Sequence, residues 1–344
     1  MKKYLLYLSV ALMAISLFSC KGNKGIMTPT SSGRPYELLV VVDHDLWERP
    51  AGRALFNVLD TDVPGLPQSE RSFKIMYTAP RDYDTTLKLI RNIIIVDIQK
   101  DVYTQAKFKY ARDVYAAPQI ILTIQAPNEQ EFEQFVNENK QVLLDFFTRA
   151  EMNRQIAGLE KKHNDYISTK VASMFDCEIW LPAELTGSKE GDNFFWAATN
   201  TATADQNFVM YSFPYKDKDT FTKEYFIHKR DSVMKKNIPG SKEGMYMTTD
   251  SAMVTVRPID VHGDYTLEAR GLWRVKGDFM GGPFVSHMRL DKANQRIIVA
   301  EIFIYSPDKL KRNLVRLMEA SLYTLKLPNE KKQGQIPLKV KEEN

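Results

Sequence analysis

Two stretches of the chain carry residues that could do chemistry. In the first, Asp43-His44-Asp45 with Glu48 surrounds an imidazole with carboxylates, the residue types of a general base oriented by an acid, or of a cation site. The competing structural reading is that Asp45 is a helix N-cap, and neighbours on an extended chain point in opposite directions. The second runs from Gly271 to Phe284. Trp273, Phe279 and Phe284 offer apolar anchors beside Arg274 and Asp278, and Gly281-Gly282-Pro283 suggests a tight reversal with at least one glycine at positive φ. Such a loop could wall a pocket, or it could be a strand connection with its aromatics in the core. Asp43, His44, Trp273, Arg274, Asp278, Gly281 and Gly282 are therefore the candidate binding residues.

Other chemistry is thinly represented. No Gly-x-Ser-x-Gly elbow, P-loop, Gly-x-Gly-x-x-Gly or His-Glu-x-x-His string occurs, so no catalytic set and no cofactor are implied. The five histidines include no pair at ligand spacing, and no metal site is expected. His163 falls in an apolar helical stripe and reads as core. Cys177 lies among Phe175, Ile179 and Trp180, which suits a buried structural thiol rather than a nucleophile.

The elements that must position these residues follow from periodicity. Glu37 to Val42 is a continuous apolar run of the kind covered on both faces, with a helix from Leu46 to Leu59 after it. Phe73 to Tyr77, Asn92 to Ile98 and Gln119 to Gln125 read as further strands, with a helix over Asp82 to Arg91. From Asn128 to Phe175 the spacing is helical throughout, but the stripe rotates by about 100° after Phe147, which predicts a bend at Thr148 to Glu151. Phe194 to Ala198 and Asn207 to Phe213 are strands and Lys218 to Asn237 a helix. A meander follows over Met253 to Val261, Tyr265 to Lys276, Phe284 to Leu290 and Arg296 to Tyr305, in which Glu268, Arg270, Arg274 and Lys276 mark a charged outer face. A last helix is expected to be capped by Ser306. The fold class is α+β: a sheet-plus-helix half over 36–172 and another over 173–327, joined by a long, bent helical segment, with a loose charged tail over 328–344. Gly-Ser-Lys-Glu-Gly occurs at Gly187 and again at Gly240, with flanks that do not match, so it is read as turn chemistry rather than a repeat.

The first residues speak of location. Met1-Lys2-Lys3 precedes an apolar run from Tyr4 to Phe18 that is too short to span a bilayer but suits a signal peptide over 1–19. Leu17-Phe18-Ser19-Cys20 resembles the bacterial lipobox, which implies acylation of Cys20, a membrane anchor that needs no protein surface. Residues 20–35 read as a flexible tether of roughly 20 Å reach. With 44% hydrophobic residues, 26% charged residues and a net charge of +4, the rest is a folded body too evenly charged to bind nucleic acid.

Together with the lipobox, the strings Gly65-Leu66-Pro67-Gln68-Ser69-Glu70, Arg91-Asn92-Ile93, Arg230-Asp231-Ser232 leading to Ile238-Pro239-Gly240, and Met280-Gly281-Gly282-Pro283-Phe284 resemble a family of Bacteroidota envelope lipoproteins catalogued only as a domain of unknown function. The resemblance implies a lipoprotein and transfers no catalytic residue. Because Lys21-Gly22-Asn23-Lys24-Gly25 lacks the acidic residues carried by surface-exported members, it implies an outer-membrane position facing the periplasm. The expected function is a non-enzymatic binding or scaffold module for an envelope protein, glycan or small molecule. The alternatives are an envelope hydrolase using His44 and a small-molecule binding lipoprotein. The first prediction is that Cys20→Ser abolishes labelling by a palmitate analogue and moves the protein from the membrane to the soluble fraction without changing its melting temperature.

Overall fold

The computed structural model describes residues 28–330 and 335–340. The signal peptide, Cys20 and the first part of the expected tether lie outside these residues. The first half is built on a five-stranded sheet in the order β2-β1-β3-β5-β4, where β1 is Glu37–Val41, β2 Lys74–Thr78, β3 Asn92–Ile98, β4 Lys107–Arg112 and β5 Ile120–Ala126. All strands are parallel except β4, which pairs antiparallel with β5. The β1 run is covered on both faces: Leu38, Val40 and Val42 enter the main core, while Leu39 and Val41 join Ile93 and Ile121 opposite. Helices α1 (His44–Glu48), α2 (Pro50–Leu59), α3 (Glu129–Glu138) and α4 (Lys140–Lys161) supply much of the first cover.

The second half is a seven-stranded antiparallel sheet in the order β6-β7-β8-β12-β11-β10-β9. Its strands are β6 Gly187–Gly191, β7 Phe194–Ala198, β8 Asp205–Pro214, β9 Met247–Val261, β10 Asp264–Val275, β11 Gly281–Asp291 and β12 Arg296–Tyr305. Helices α5 (Asp165–Phe175) and α7 (Arg312–Leu322) cover one face through Ile167, Val171, Val315 and Met318. Helix α6 (Lys223–Asn237) covers the other through Phe226 and Met234. The fold is α+β with an antiparallel second sheet, as expected.

Several local expectations need correction. Helix α4 runs unbroken through Thr148 to Glu151, and the helical breaks fall instead at Asn139 and over 162–164. The rotated stripe marks a change of partner: Phe146 and Phe147 enter the first core, whereas Met152 and Ile156 pack against Ala320 and Ile336. Helix α5 packs in the second core, so the halves divide before it rather than at 172. The segment expected as a helix over 82–91 holds only the end of one 3-10 turn (Pro80–Asp82) and a second at Leu87–Leu89, because the Asp84 carboxylate accepts from the Thr86 and Leu87 amides (3.0 and 2.9 Å). The described residues of the tail are docked, not loose: Ile336 exchanges hydrogen bonds with Asn153 and Leu338 enters the first core. Nor are the described residues before 36 free, since Thr30 and Ser32 form bridges to Ala117 and Ile90. The two Gly-Ser-Lys-Glu-Gly strings differ in conformation, one being strand β6 and the other a turn with Gly244 at φ +79°.

Gly281 and Gly282 are strand residues rather than a reversal. Gly281 pairs with Arg274 and Gly282 with Trp273, and the positive φ of the connection belongs to Gly277 (+83°). Glycine is needed for close approach: a Cβ on Gly281 would stand 2.8 Å from the Trp273 carbonyl oxygen, and one on Gly282 would overlap that of Ile304. Both obstacles are backbone in the middle of a sheet and cannot rotate away. Gly282→Ala should therefore cost more than about 3 kcal/mol, measured by denaturant unfolding. Gly263→Ala, strained only by its φ of +86° with open space around it, should cost about 1 kcal/mol.

Candidate functional site

The two sequence candidates come apart in the structure. Asp43 follows β1 and uses its carboxylate to cap α1, accepting from the Asp45 amide at 3.0 Å. His44 stacks on Tyr77 with ring centroids 6.1 Å apart, its Nδ1 being 3.3 Å from the Tyr77 hydroxyl. The carboxylate-flanked base is not assembled. Trp273 is core, donating from Nε1 to the Ile304 carbonyl at 3.2 Å and meeting Phe303 edge-on. Arg274, near the end of β10, and Asp278, on the β10–β11 connection, line a recess of about 410 Å³ with Tyr246 and the fully exposed Phe279. Gly281 and Gly282 belong to the ladder behind it. His163 is half-buried in the break between α4 and α5 rather than in a helical core stripe, where it stacks on Trp180 and bonds the Leu159 carbonyl at 2.8 Å. Cys177 is buried, which pushes its thiol up to about 12 and leaves it without nucleophilic character at neutral pH.

The more developed site lies between the halves. A cleft of about 770 Å³ is walled by Thr148 and Met152 of α4 and the loop at Val63 on one side, and by Thr255 to Asp260 of β9 on the other. Its floor is made of charges. The Glu268 carboxylate, fully buried in β10, accepts from Arg257 Nε at 2.6 Å and from Arg270 Nε and Nη2 at 2.8 and 3.1 Å. Arg270 also pairs with Glu319 of α7. Arg316 of the same helix crosses the junction, donating to Thr148 Oγ1 at 3.0 Å and lying 4.5 Å over the Tyr36 ring.

The charged alternation of β10 divides: Arg274 and Lys276 are exposed as expected, whereas Glu268 and Arg270 are buried. Glu268 and Arg270 do face away from Leu267, Ala269 and Trp273, but α7 and the first half cover them, and the charges are tolerated because they pair. Behind the floor, His287 stands opposite Glu268 in the β10–β11 register. Its Nε2 is 3.8 Å from the carboxylate, beyond hydrogen-bond reach, and its ring meets Tyr323 edge-on at 4.9 Å. Burial holds the Tyr323 phenol protonated far above its ordinary range, so the group can offer a hydrogen bond but no charge. The floor can thus present guanidinium donors and carboxylate acceptors to one polar molecule, without a resident nucleophile.

The loop over 65–70 fastens this site. Gly65, at φ +80°, lies against β10, where a Cβ would be 3.1 Å from that of Arg270. Five residues on, Glu70 accepts from the Lys311 and Arg312 amides at 2.7 and 2.8 Å, capping α7 across the junction. Ser306, the expected cap, bonds the Thr203 carbonyl instead. In the sequence the alternation of Glu268 and Arg270 is that of a solvated strand face and does not mark the site. Glu319, placed within the apolar face of α7, was the missed sign that this face meets charge.

Comparison with known proteins divides the chain at the same joint. Residues 31–160 match a family described as Domain of unknown function (DUF8532), and residues 164–324 match another, Domain of unknown function (DUF4837). The first match begins where the Thr30 and Ser32 bridges begin, and the gap between the two falls where α4 ends. No curated protein matches the chain.

Burial would raise the Glu268 carboxyl, but the Arg270 and Arg257 guanidinium groups outweigh it and hold the group well below the usual carboxylate range. A depressed folded pKa contributes stability that is complete above the unfolded value of about 4.3 and is lost progressively as pH falls below it. Glu268→Gln should lower stability at pH 7 and flatten the acid limb by up to about 1.4 kcal/mol per pH unit. Melting temperatures from pH 7 to 3 for both proteins test this.

Proposed function

We propose that this protein is a cell-envelope lipoprotein, acylated at Cys20 and facing the periplasm from the outer membrane, whose folded body is a non-enzymatic binding module. Its ligand is a small polar molecule taken into the cleft between the halves. The observation that carries the reading is the cleft itself, whose two walls come from different halves and whose floor is a paired set of buried charges. Its volume of about 770 Å³ suits a small molecule rather than a protein surface. The mixed floor favours a ligand bearing both donors and acceptors, such as an amino acid, a short peptide or a sugar. The membrane part of the reading rests on the signal peptide and lipobox. Among the described residues no helix is long and apolar enough to cross a membrane.

The hydrolase alternative loses its supporting geometry, because Asp43 is occupied as a helix cap and His44 faces Tyr77.

The test uses the Cys20→Ser protein, thermal shift against amino acids, dipeptides and sugars, and native mass spectrometry of protein taken from envelope extracts. Binding at a hundredfold excess over Kd adds about 2.7 kcal/mol, a clear rise in melting temperature. At least one class should stabilise the wild-type cleft, and Thr255→Trp, which projects an indole from β9 into the cleft, should remove that shift while leaving the ligand-free melting temperature unchanged. Absence of both stabilisation and co-purifying small molecules would overturn the binding reading.

A further inference from the structure

The described chain begins at a defined place in the first sheet. Pro29 accepts from the Ala117 amide at 2.8 Å, Ser31 donates to the Ala117 carbonyl at 3.0 Å, and the Ser31 hydroxyl donates to that of Pro118 at 2.8 Å. One step further, Ser32 donates to the Leu89 carbonyl and accepts from the Arg91 amide. Residues 89–91 lead into β3 and 117–119 into β5, while β4, antiparallel to its neighbour, ends at Arg112 on the same side. The chain therefore leaves the body at the edge of the sheet where the parallel strands start. From Pro29 back to Cys20, even fully extended, it reaches no further than about 30 Å.

This edge presents apolar residues that the core does not use. Val114 is 48% and Tyr115 39% exposed, next to the residues that hold Pro29 and Ser31. They are held out by a fixed loop: Asp113, at φ +51°, accepts from the Gln119 amide at 2.7 Å, the Tyr115 amide donates to Gln119 Oε1 at 3.0 Å, and Gln119 Nε2 bonds the Lys88 and Ile90 carbonyls. Lys88 lies over the rings of Tyr115 and Tyr83, 5.4 and 5.5 Å from their centroids, and Arg34 is exposed just beyond the Ser32 bridge. The exposed carboxylates nearby are occupied by local backbone amides, Asp113 by that of Gln119 and Asp84 by those of Thr86 and Leu87. An exposed aliphatic side chain, a tyrosine and lysine or arginine around them are the residue types that settle at a bilayer interface.

We propose that this strand-start edge of the first sheet, with the 113–118 loop at its tip, rests on the lipid surface to which Cys20 is anchored, and inserts Val114 and Tyr115 at the headgroup level. The inference rests on the lipoprotein reading and adds an orientation to it: the edge carrying His44 and Val102 points away from the membrane. The loop is rigid before it meets lipid, so docking orders little chain, and the anchor raises the local concentration of lipid, so a small apolar contact suffices.

The test uses full-length, acylated protein in vesicles of phosphatidylethanolamine and phosphatidylglycerol. Val114→Cys and, as a control beyond β3 at the opposite edge, Val102→Cys (61% exposed) are labelled with nitrobenzoxadiazole and quenched by doxyl lipids. Cys177 is buried and does not compete for the label. Quenching at position 114 should exceed that at 102 by at least roughly fivefold, as expected for a probe seated within about 10 Å of the acyl boundary. Equal quenching, or more at 102, in protein that floats with the vesicles would overturn the docking surface and leave the anchor standing. Wild-type protein that neither floats nor carries a palmitate label would overturn both.

Discussion

Glu268 is buried in the middle of β10, where an ionised carboxylate without partners would be too costly to keep, and Arg270 and Arg257 are the partners that make it tolerable. Arg270 in turn needs Glu319, and Glu319 belongs to α7, which packs on the first half through Ala320 and on the second through Val315 and Met318. The chain of charges therefore runs from the second sheet into the element that both halves share. Removing one member would leave an uncompensated charge at a cost of about 3–5 kcal/mol, far more than the pair is worth against an apolar replacement. The arrangement fixes how the halves meet, and the cleft above it inherits that geometry.

The same device recurs at each joint, which gives the sequence strings of the family resemblance a physical meaning. In Arg91-Asn92-Ile93, Arg91 bonds Glu151 at 2.9 Å and Asn92 bonds it at 2.6 Å, while Arg154 closes the set, tying α4 to β3. In Arg230-Asp231-Ser232, Arg230 holds the wholly buried Glu301 with two nitrogens, and Asp231 takes the Thr249 amide and hydroxyl, tying α6 to β12 and β9. Phe284, from the glycine string, lies 4.2 Å from that guanidinium. Glu70 does the corresponding work for α7 with backbone amides in place of an arginine. The charged residues of these strings are fixtures for buried charge, and the cleft floor is a fixture of the same kind that opens onto a cavity of about 770 Å³.

This explains what sequence could and could not disclose. Strands β1, β3 and β5 were legible because their apolar run is uninterrupted, and the meander was legible in outline, although β9 starts at Met247 rather than Met253 and β11 at Gly281 rather than Phe284. The edge strands β4 and β6 were not. Lys107, Lys109 and the glycines of β6 dilute the period, although Phe108 and Tyr110 alternate correctly and pack on Phe135 and Phe146. Helix α4 misled because one straight helix serves two cores, so its stripe turns without its axis breaking. The tail misled by composition: among its described residues Ile336, Leu338 and Val340 supply apolar contacts spaced by polar ones, and Glu330 pairs with the buried Arg289. The cleft was invisible because its floor alternates like a solvated face, and burial by a distant helix leaves no trace in the strand that is buried.

The internal pairing of the floor also bears on how a ligand could be held. Glu268, Arg270 and Glu319 satisfy one another, so the cleft does not need an occupant to be stable, and binding would not have to complete the core. Arg257 differs. Its side chain is 47% exposed while one nitrogen is bound to Glu268, which leaves guanidinium donors facing the cavity in a fixed direction. A guanidinium held by a buried carboxylate loses little freedom when it gains a second acceptor, so the ordering cost of recognition is met largely by the fold. Selectivity would then come from the shape set by Thr148, Met152 and the β9 strand, and affinity from the free face of one arginine. That division requires a ligand with an acceptor at one end and a compact polar body, which is narrower than the cleft volume alone would suggest.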